Sequence, residues 1–328
     1  MSDESWKIQF HDIPKTHSQS FKKLFAGYDE GLVRSEPGGF VATPTYARNA
    51  EKIFRMQVRS DDVWLLTFPK CGTTWTCELL WLLQNNCDFE AASKTDLALR
   101  TPFLEMPYLS THMYRFKDML MTVDKVKQLP SPRVIRPHLP FYLLPPQLLD
   151  TAKVVYVARN PKDVIVSYYF HHKLIKMHSY TGTLEEFAQF FMDDEVYNAP
   201  FFPHILEAWS KRHHPNMHFM FYEDMKRDLR GEIGKVASFL GKSLSEEQLV
   251  AMTEHLKFEN FQKNESVNNE LEKKTGAFNE EGRFFRQGKT GDWKNHFSPE
   301  LNNRIDEWIK KNLADTDLTF VTELEYQD

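Results

Sequence analysis

The sequence predicts an α/β fold: a single domain whose central, mostly parallel β-sheet is flanked by helices. Three observations predict it. Val63 to Phe68 is a short apolar run that passes through a tight loop into the densely apolar Thr74 to Leu83, a strand–loop–helix unit. Lys153 to Ala158 repeats the pattern with a β-branched run of parallel-sheet character followed by a long helix. Met217 to Tyr222 gives a third buried strand, so strands and helices alternate along the chain.

Residues 1–60 read as an irregular N-terminal segment. Tyr28 to Arg48 is rich in Gly, Pro and Ser and reads as loop with room for one short strand, a candidate lid over a pocket. Ala50 to Val58 is a candidate helix. Pro69-Lys70-Cys71-Gly72-Thr73-Thr74 then turns the first strand into its helix. Such a loop offers free N–H groups and the positive end of a helix dipole; Gly72 allows close approach, Lys70 adds charge, and Thr73 and Thr74 add hydroxyls. Together they suit a phosphate-like anion. The common triphosphate loop places its Lys after the second Gly, whereas Lys70 precedes the loop's only Gly. Six residues alone leave an ordinary strand-to-helix turn as a serious competitor. Cys71 is either an ordinary small loop residue, the simpler reading, or a thiol whose pKa the loop lowers.

Arg100 to Leu109, with Phe103 and Met106, is an ordered apolar loop that lines a cavity or packs on a core, two equally matched readings. In Ser131 to Pro146, Pro137 and Pro140 hold His138 in extended geometry beside Arg136, which makes His138 a candidate general base. Arg159 ends the second long strand, where ligands bind in open α/β sheets, and Ser167 follows on its helix; an ion pair and a backbone-bonded serine are the plainer alternatives. Thr183 to Asp193, Asn198 to His213, Gly231 to Leu240, Ser245 to Leu256 and Pro299 to Leu313 read as helices, with capping signals at Ser245 and Ser298. Residues 265–296 are polar and read as a mobile clamp loop, because Arg286, Gln287, Gly288 and Lys289 interleave charge with glycine.

Three segments thus offer anion donors: Lys70 to Thr74, Arg159 with Ser167, and Arg286 to Gly288. Three suggest a ligand with two separated anionic groups, and Trp75, Phe258 and Tyr222 offer faces for a base. No acidic cluster marks a magnesium site, so no metal is expected. The net charge of −5 argues against nucleic-acid binding. No signal peptide, membrane-length apolar run or lipidation box is visible, and the three cysteines suit reduced thiols in the cytosol. The 26 phenylalanines allow a large aromatic pocket.

PKCGTTW, VVYVARNPKDVIVSYY, FYEDM and RQGKTGDWKNHF, in that order, closely resemble the signature segments of the cytosolic sulfotransferases, over about Asp61 to Leu313. The resemblance implies one α/β domain that moves a sulfuryl group from 3′-phosphoadenosine-5′-phosphosulfate to a hydroxyl or amine, leaving adenosine 3′,5′-bisphosphate. It implies that Lys70, Cys71, Gly72, Thr73 and Thr74 hold the 5′-phosphosulfate, and that Arg159, Ser167, Arg286, Gln287 and Gly288 hold the 3′-phosphate. Trp75, Tyr222 and Phe258 would surround adenine. His138 would be the base, Lys70 would stabilise the leaving oxygen, and Arg136 would stand beside them. Phe103, Met106, Phe141 and Tyr169 would line the pocket of a small lipophilic acceptor.

Several positions depart from the family pattern. Cys71 stands where Ser is common, which exposes the site to thiol reagents. Gln287 and Arg136 stand where Lys is usual, and Leu256-Lys257 replaces a Thr-Ser pair. Ser298-Pro299 and Asn303 alter the short dimer motif, so dimerisation by that route is doubtful. Three other functions stay open: a retinol-type dehydratase acting through sulfonation, a non-catalytic binder of nucleotide or hydrophobic ligand, and a nucleotide kinase, which would need a metal-binding acid and a standard phosphate loop.

Overall fold

The computed structural model describes residues 5–268, 276–279, 288–322 and 324 of the chain. Four strands make the central sheet: β4 (Val63–Thr67), β5 (Val134–Ile135), β6 (Lys153–Ala158) and β7 (Met217–Phe221), in the order β5-β4-β6-β7. Every pairing is parallel. All five residues of β4 are buried, as a parallel strand covered on both faces requires. Its side chains alternate between two cores. Trp64 and Leu66 join Val154, Tyr156 and Ala158 on one face, and Val63 and Leu65 join Val155 and Val157 on the other. Each such fully buried side chain stabilises the fold by roughly 1.5–3 kcal/mol.

Helices Thr73–Gln84, Leu229–Phe239 and Glu246–Leu256 cover the second face, with Cys77, Leu80, Ile233 and Met252 fully buried. Helices Pro161–Leu174, Leu184–Met192, Phe201–Ser210 and Pro299–Asn312 cover the first. The caps follow the local sequence: Thr183 with Glu186 and Ser245 with Gln248 form capping boxes, and Ser298 caps the last helix. A buried bidentate pair, Arg133 to Asp62 at 2.7 and 2.5 Å, ties the entry of β5 to that of β4.

The N-terminal segment is more regular than the sequence suggests. β1 (Gln9–Asp12), β2 (Val33–Glu36) and β3 (Val41–Ala42) form a separate three-stranded antiparallel sheet. β2 and β3 are a hairpin turned by Gly38 and Gly39, at φ 92° and 74°. The helix expected from Ala50 to Val58 stops at Phe54, after which Met56 and Val58 turn into the core.

The register decides where the site lies. Thr67 is opposite Val157, and Ala158 is opposite Phe221. The segments that leave β4, β5, β6 and β7, beginning near Phe68, Arg136, Arg159 and Tyr222, therefore emerge along one edge of the sheet.

Candidate active site

At that edge lies a cavity of about 760 Å³, lined by segments from Ala26 to Lys289. Its volume is that of a typical small-ligand site. Lys70, Gly72, Thr73, Thr74 and Trp75 line one end. Lys70 and Gly72 both take positive φ, 71° and 98°, which wraps the loop onto the helix N-terminus. Gly72 is required on contact grounds too, because a Cβ there would sit 2.7 Å from the Tyr222 ring. Thr73 Oγ1 bonds Thr67 Oγ1 at 2.7 Å, which holds the loop to the strand it left.

Cys71 does not share this exposure. Its side chain is fully buried in the first core, with Sγ 3.9 Å from the Pro69 carbonyl. Burial pushes the thiol well above its ordinary pKa, against the pull of Arg159 and Lys70. The idea of a reactive loop thiol is thus corrected: the positive-φ turn at Lys70 faces the Cys71 side chain inward.

Arg159 braces the loop. Its Nη1 donates to the Lys70 carbonyl at 2.9 Å and its Nη2 to the Lys289 carbonyl at 3.1 Å, while its guanidinium lies 4.3 Å from the Tyr222 ring centre. Its Nε is buried with no partner among the described residues. Ser167 and Gly288 line the same cavity. Gly288 sits at φ 61°, and a Cβ there would meet the Phe258 ring at 2.3 Å. Arg286 and Gln287 lie outside the described residues. Asp163 anchors the following stretch, accepting from the backbone N–H of Gly291 at 2.7 Å and of Trp293 at 3.3 Å.

Trp75, Tyr222 and Phe258 also line the cavity. Trp75 meets Tyr222 edge-on at 5.7 Å and donates from Nε1 to the Leu256 carbonyl at 2.8 Å. Lys226, which sequence reasoning passed over, stands 5.9 Å from the Trp75 ring and 5.7 Å from Phe258. Its only signal was its place one turn beyond Tyr222.

His138 faces the middle of the cavity. Its Nδ1 is 2.9 Å from the Thr67 carbonyl, which can only accept, and 3.1 Å from the Thr67 hydroxyl, which can accept as well as donate; a proton on Nδ1 satisfies the carbonyl and leaves Nε2 its lone pair. The His138 peptide is held on both sides. Its N–H donates to Glu105 Oε1 at 2.6 Å, and its carbonyl accepts from His204 Nε2 at 3.1 Å. His204 Nδ1 in turn accepts a hydrogen bond from the Tyr156 hydroxyl, 2.7 Å away. Burial, helped by Arg136, His204 and Lys70, pushes the His138 pKa down to about 3. Burial also pushes Glu105 up to about 8. Arg136 points Nε at the Thr101 carbonyl, 2.9 Å away, and stands over the Phe103 ring, which meets His138 edge-on at 5.0 Å.

Phe103 and Met106 line the cavity as expected, together with Ala26–Gly31 of the N-terminal segment and Ser110–Met113. Phe141 and Tyr169 do not line it. Phe141 opens a short turn beneath Lys211, 5.6 Å away. Tyr169 is one residue out of phase: it packs on Tyr180 and Phe187 at 6.0 and 5.9 Å, whereas Tyr168 and His171 on the same helix reach the cavity. Among the described residues no group of His, Cys, Asp and Glu could hold a metal ion, and no helix is long and apolar enough to cross a membrane. The site can therefore hold an anion at one end, stack a flat ring beside it, and present a neutral imidazole to an apolar chamber.

Residues 60–317 match the model of the sulfotransferase domain. The chain is 38% identical to amine sulfotransferase of Oryctolagus cuniculus, over 84% of this chain and 88% of that protein. It is 36% identical to sulfotransferase 1A1 of Rattus norvegicus, over 80% and 88%. Among solved structures it superposes on retinol dehydratase in complex with androsterone and inactive cofactor PAP, with a TM-score of 0.89, 34% identity, and 97% of this chain and 99% of that one covered.

Proposed function

The chain belongs to the sulfotransferase domain family, and from that premise we propose that it transfers a sulfuryl group from 3′-phosphoadenosine-5′-phosphosulfate to a hydroxyl of a small lipophilic acceptor. The observation that carries the reading is His138: a neutral imidazole with Nδ1–H fixed on the Thr67 carbonyl and Nε2 bare, in one cavity with the Lys70–Thr74 loop.

The residues present fit the nucleotide. Gly72 and Gly288 leave hollows that a Cβ would fill, against Tyr222 and Phe258. Arg159, which lines the same cavity, keeps a buried Nε with no partner among the described residues. When bound, the donor supplies an activated sulfuryl group. Lys70 and the N–H groups opening the Thr73–Gln84 helix hold the 5′ end, and Arg159, Ser167 and Gly288 hold the 3′-phosphate. Arg286 and Gln287, outside the described residues, belong to that clamp by sequence. Trp75, Tyr222 and Phe258 flank the adenine, with Lys226 beside them.

His138 Nε2 takes the acceptor's hydroxyl proton as that oxygen bonds to sulfur. Lys70 places its charge where the breaking S–O bond leaves electrons on phosphate oxygen. Arg136 sets the Phe103 wall against which the acceptor rests. Positioning and charge stabilisation then carry most of the rate, as in loose phosphoryl transfer.

A second reading is favoured by one observation, the close superposition on retinol dehydratase. In it, sulfonation of an allylic alcohol is followed by loss of sulfate and a proton, giving an alkene. We place the protein in the cytosol as one domain spanning residues 1–328, with no nucleic-acid or membrane partner. Ser298, Pro299 and Asn303 argue against pairing through the family's dimer motif.

The test is incubation with sulfur-labelled donor, without added metal, against phenols, sterols, retinoids and fatty alcohols. Labelled ester supports the transferase, and labelled free sulfate with a dehydrated product supports the second reading. Nucleotide binding without turnover on any acceptor overturns both in favour of a binder.

A further inference from the structure

We propose that His171, backed by His178 and Tyr28, reads a second hydrogen-bonding group on the acceptor, a neutral ketone or hydroxyl set apart from the oxygen presented to His138. The inference rests on the sulfotransferase reading above and names its substrate class more narrowly.

His171 lies on the Pro161–Leu174 helix, one turn beyond Ser167, and lines the same cavity. Sulfuryl transfer as described gives it no task. Its ring sits 5.8 Å from Tyr168 and 5.5 Å from His178. Its Nδ1 is buried and has no hydrogen-bond partner among the described residues. The neighbouring histidines carry the pattern further. His172 bonds the Tyr168 carbonyl through Nδ1 at 3.0 Å, so its Nε2 is a bare lone pair, and that atom too is buried and unpartnered. His172 stacks on His178 at 3.9 Å, and His178 Nδ1 pairs with the Tyr28 hydroxyl. The three rings do not form a metal site among the described residues.

Such a cluster is expensive in an aromatic wall. A phenylalanine in place of His171 would pack there without stranding a polar atom, and a wall of that kind would serve a purely hydrocarbon acceptor. An imidazole lining the chamber is instead suited to an acceptor that brings its own polar group. Burial holds all three rings neutral, with Lys70 and His138 acting in the same direction on His171. A neutral ring offers one donor and one acceptor and no ion pair, so the group it recognises is uncharged.

The experiment compares para-butylphenol with its chain ketone and chain alcohol, three phenols of matched shape, in wild type, His171→Phe and His171→Asn. The expected result is a kcat/KM about tenfold or more in favour of the polar-chain phenols in wild type, since a site built to hydrogen-bond rejects the analogue that lacks the group. His171→Phe brings the ratio to near one, and His171→Asn, which keeps a donor and an acceptor, preserves part of it. A wild-type ratio near one overturns the proposal. So does a His171→Phe effect equal on all three phenols, which marks a structural role. If no phenol turns over although bisphosphate binds, the transferase reading has failed separately. Calorimetric affinities of the three phenols for the bisphosphate-loaded protein then give the same ratio. Should His171→Phe not fold, the wild-type ratio and His171→Asn still decide.

Discussion

Replacing Gly72 with alanine tests the phosphate cradle at one atom. The position has φ 98° and ψ 18°, where an L side chain is strained by roughly 1–2 kcal/mol. The new methyl would also lie 2.7 Å from Tyr222 Cδ2, so the ring must shift by a sizeable fraction of an ångström. That ring cannot move alone, because the Arg159 guanidinium lies 4.3 Å from its centre and Trp75 meets its edge at 5.7 Å. Together the loss is about 2–3 kcal/mol in the free protein. For 328 residues an unfolding entropy of about 2.1 cal/mol/K per residue turns this into a fall in Tm of about 3–4 °C. The displaced ring also weakens its contact with the base, worth about 1–3 kcal/mol by analogy with other base–aromatic stacking. Affinity for adenosine 3′,5′-bisphosphate should then fall by about 5- to 150-fold. Calorimetric titration and a thermal melt read both effects. Wild-type affinity together with an unchanged Tm would refute the idea that Gly72 lets the backbone close on the nucleotide.

Asp163→Ala removes the acceptor for the Gly291 and Trp293 N–H groups; the dissociation rate of the bisphosphate, followed by stopped flow, should rise about tenfold or more, as expected for a hydrogen bond to a charged group worth 1.5–3 kcal/mol. Acid should unfold the protein steeply. Burial holds His138 and His172 near pKa 3 and His204 near 4, below the ordinary value of about 6.5. The unfolded chain therefore binds more protons below about pH 6.5, and each such group removes up to about 1.4 kcal/mol of stability per pH unit as pH falls toward its folded value. His171 and His178, also held neutral by burial, pull the same way, while Glu105 and Glu223, raised by burial to about 8 and about 7, partly offset them. Stability from urea melts should therefore fall between about pH 6 and 4.5, and a flat profile would show that these rings are not held neutral. Native protein should leave Cys71 and Cys77 unmodified by a disulfide reagent until it is unfolded, since both side chains are fully buried.

Local features were legible in the sequence because the residues that cause them are neighbours. The strand–loop–helix from Val63, the capping box at Ser245, the cap at Ser298 and the Pro-framed His138 all depend on residues a few positions apart. The N-terminal sheet was not legible. Three of the four residues of β1 are exposed, so no alternation marks it, and its partners lie far along the chain, as in Gln9 with Glu36. Tyr168 and Tyr169 show a different limit: both are aromatic, and only the rotation of their helix decides which faces the cavity. Cys71 turned inward because of a backbone φ that the sequence does not display. The groups that prepare His138, namely Glu105, His204 and the Thr67 carbonyl, come from three other segments that only the folded sheet brings together. The family resemblance supplied roles that spacing alone left open.

A single-turnover comparison of wild type with His138→Ala, on saturating labelled donor and an acceptor found in the panel, examines the catalytic assignment most directly. With His138 as the base, transfer should slow by about 10²–10⁴-fold while bisphosphate affinity stays at the wild-type value. Equal transfer rates in the two proteins would remove His138 from the reaction and, with it, the account of how this cavity works.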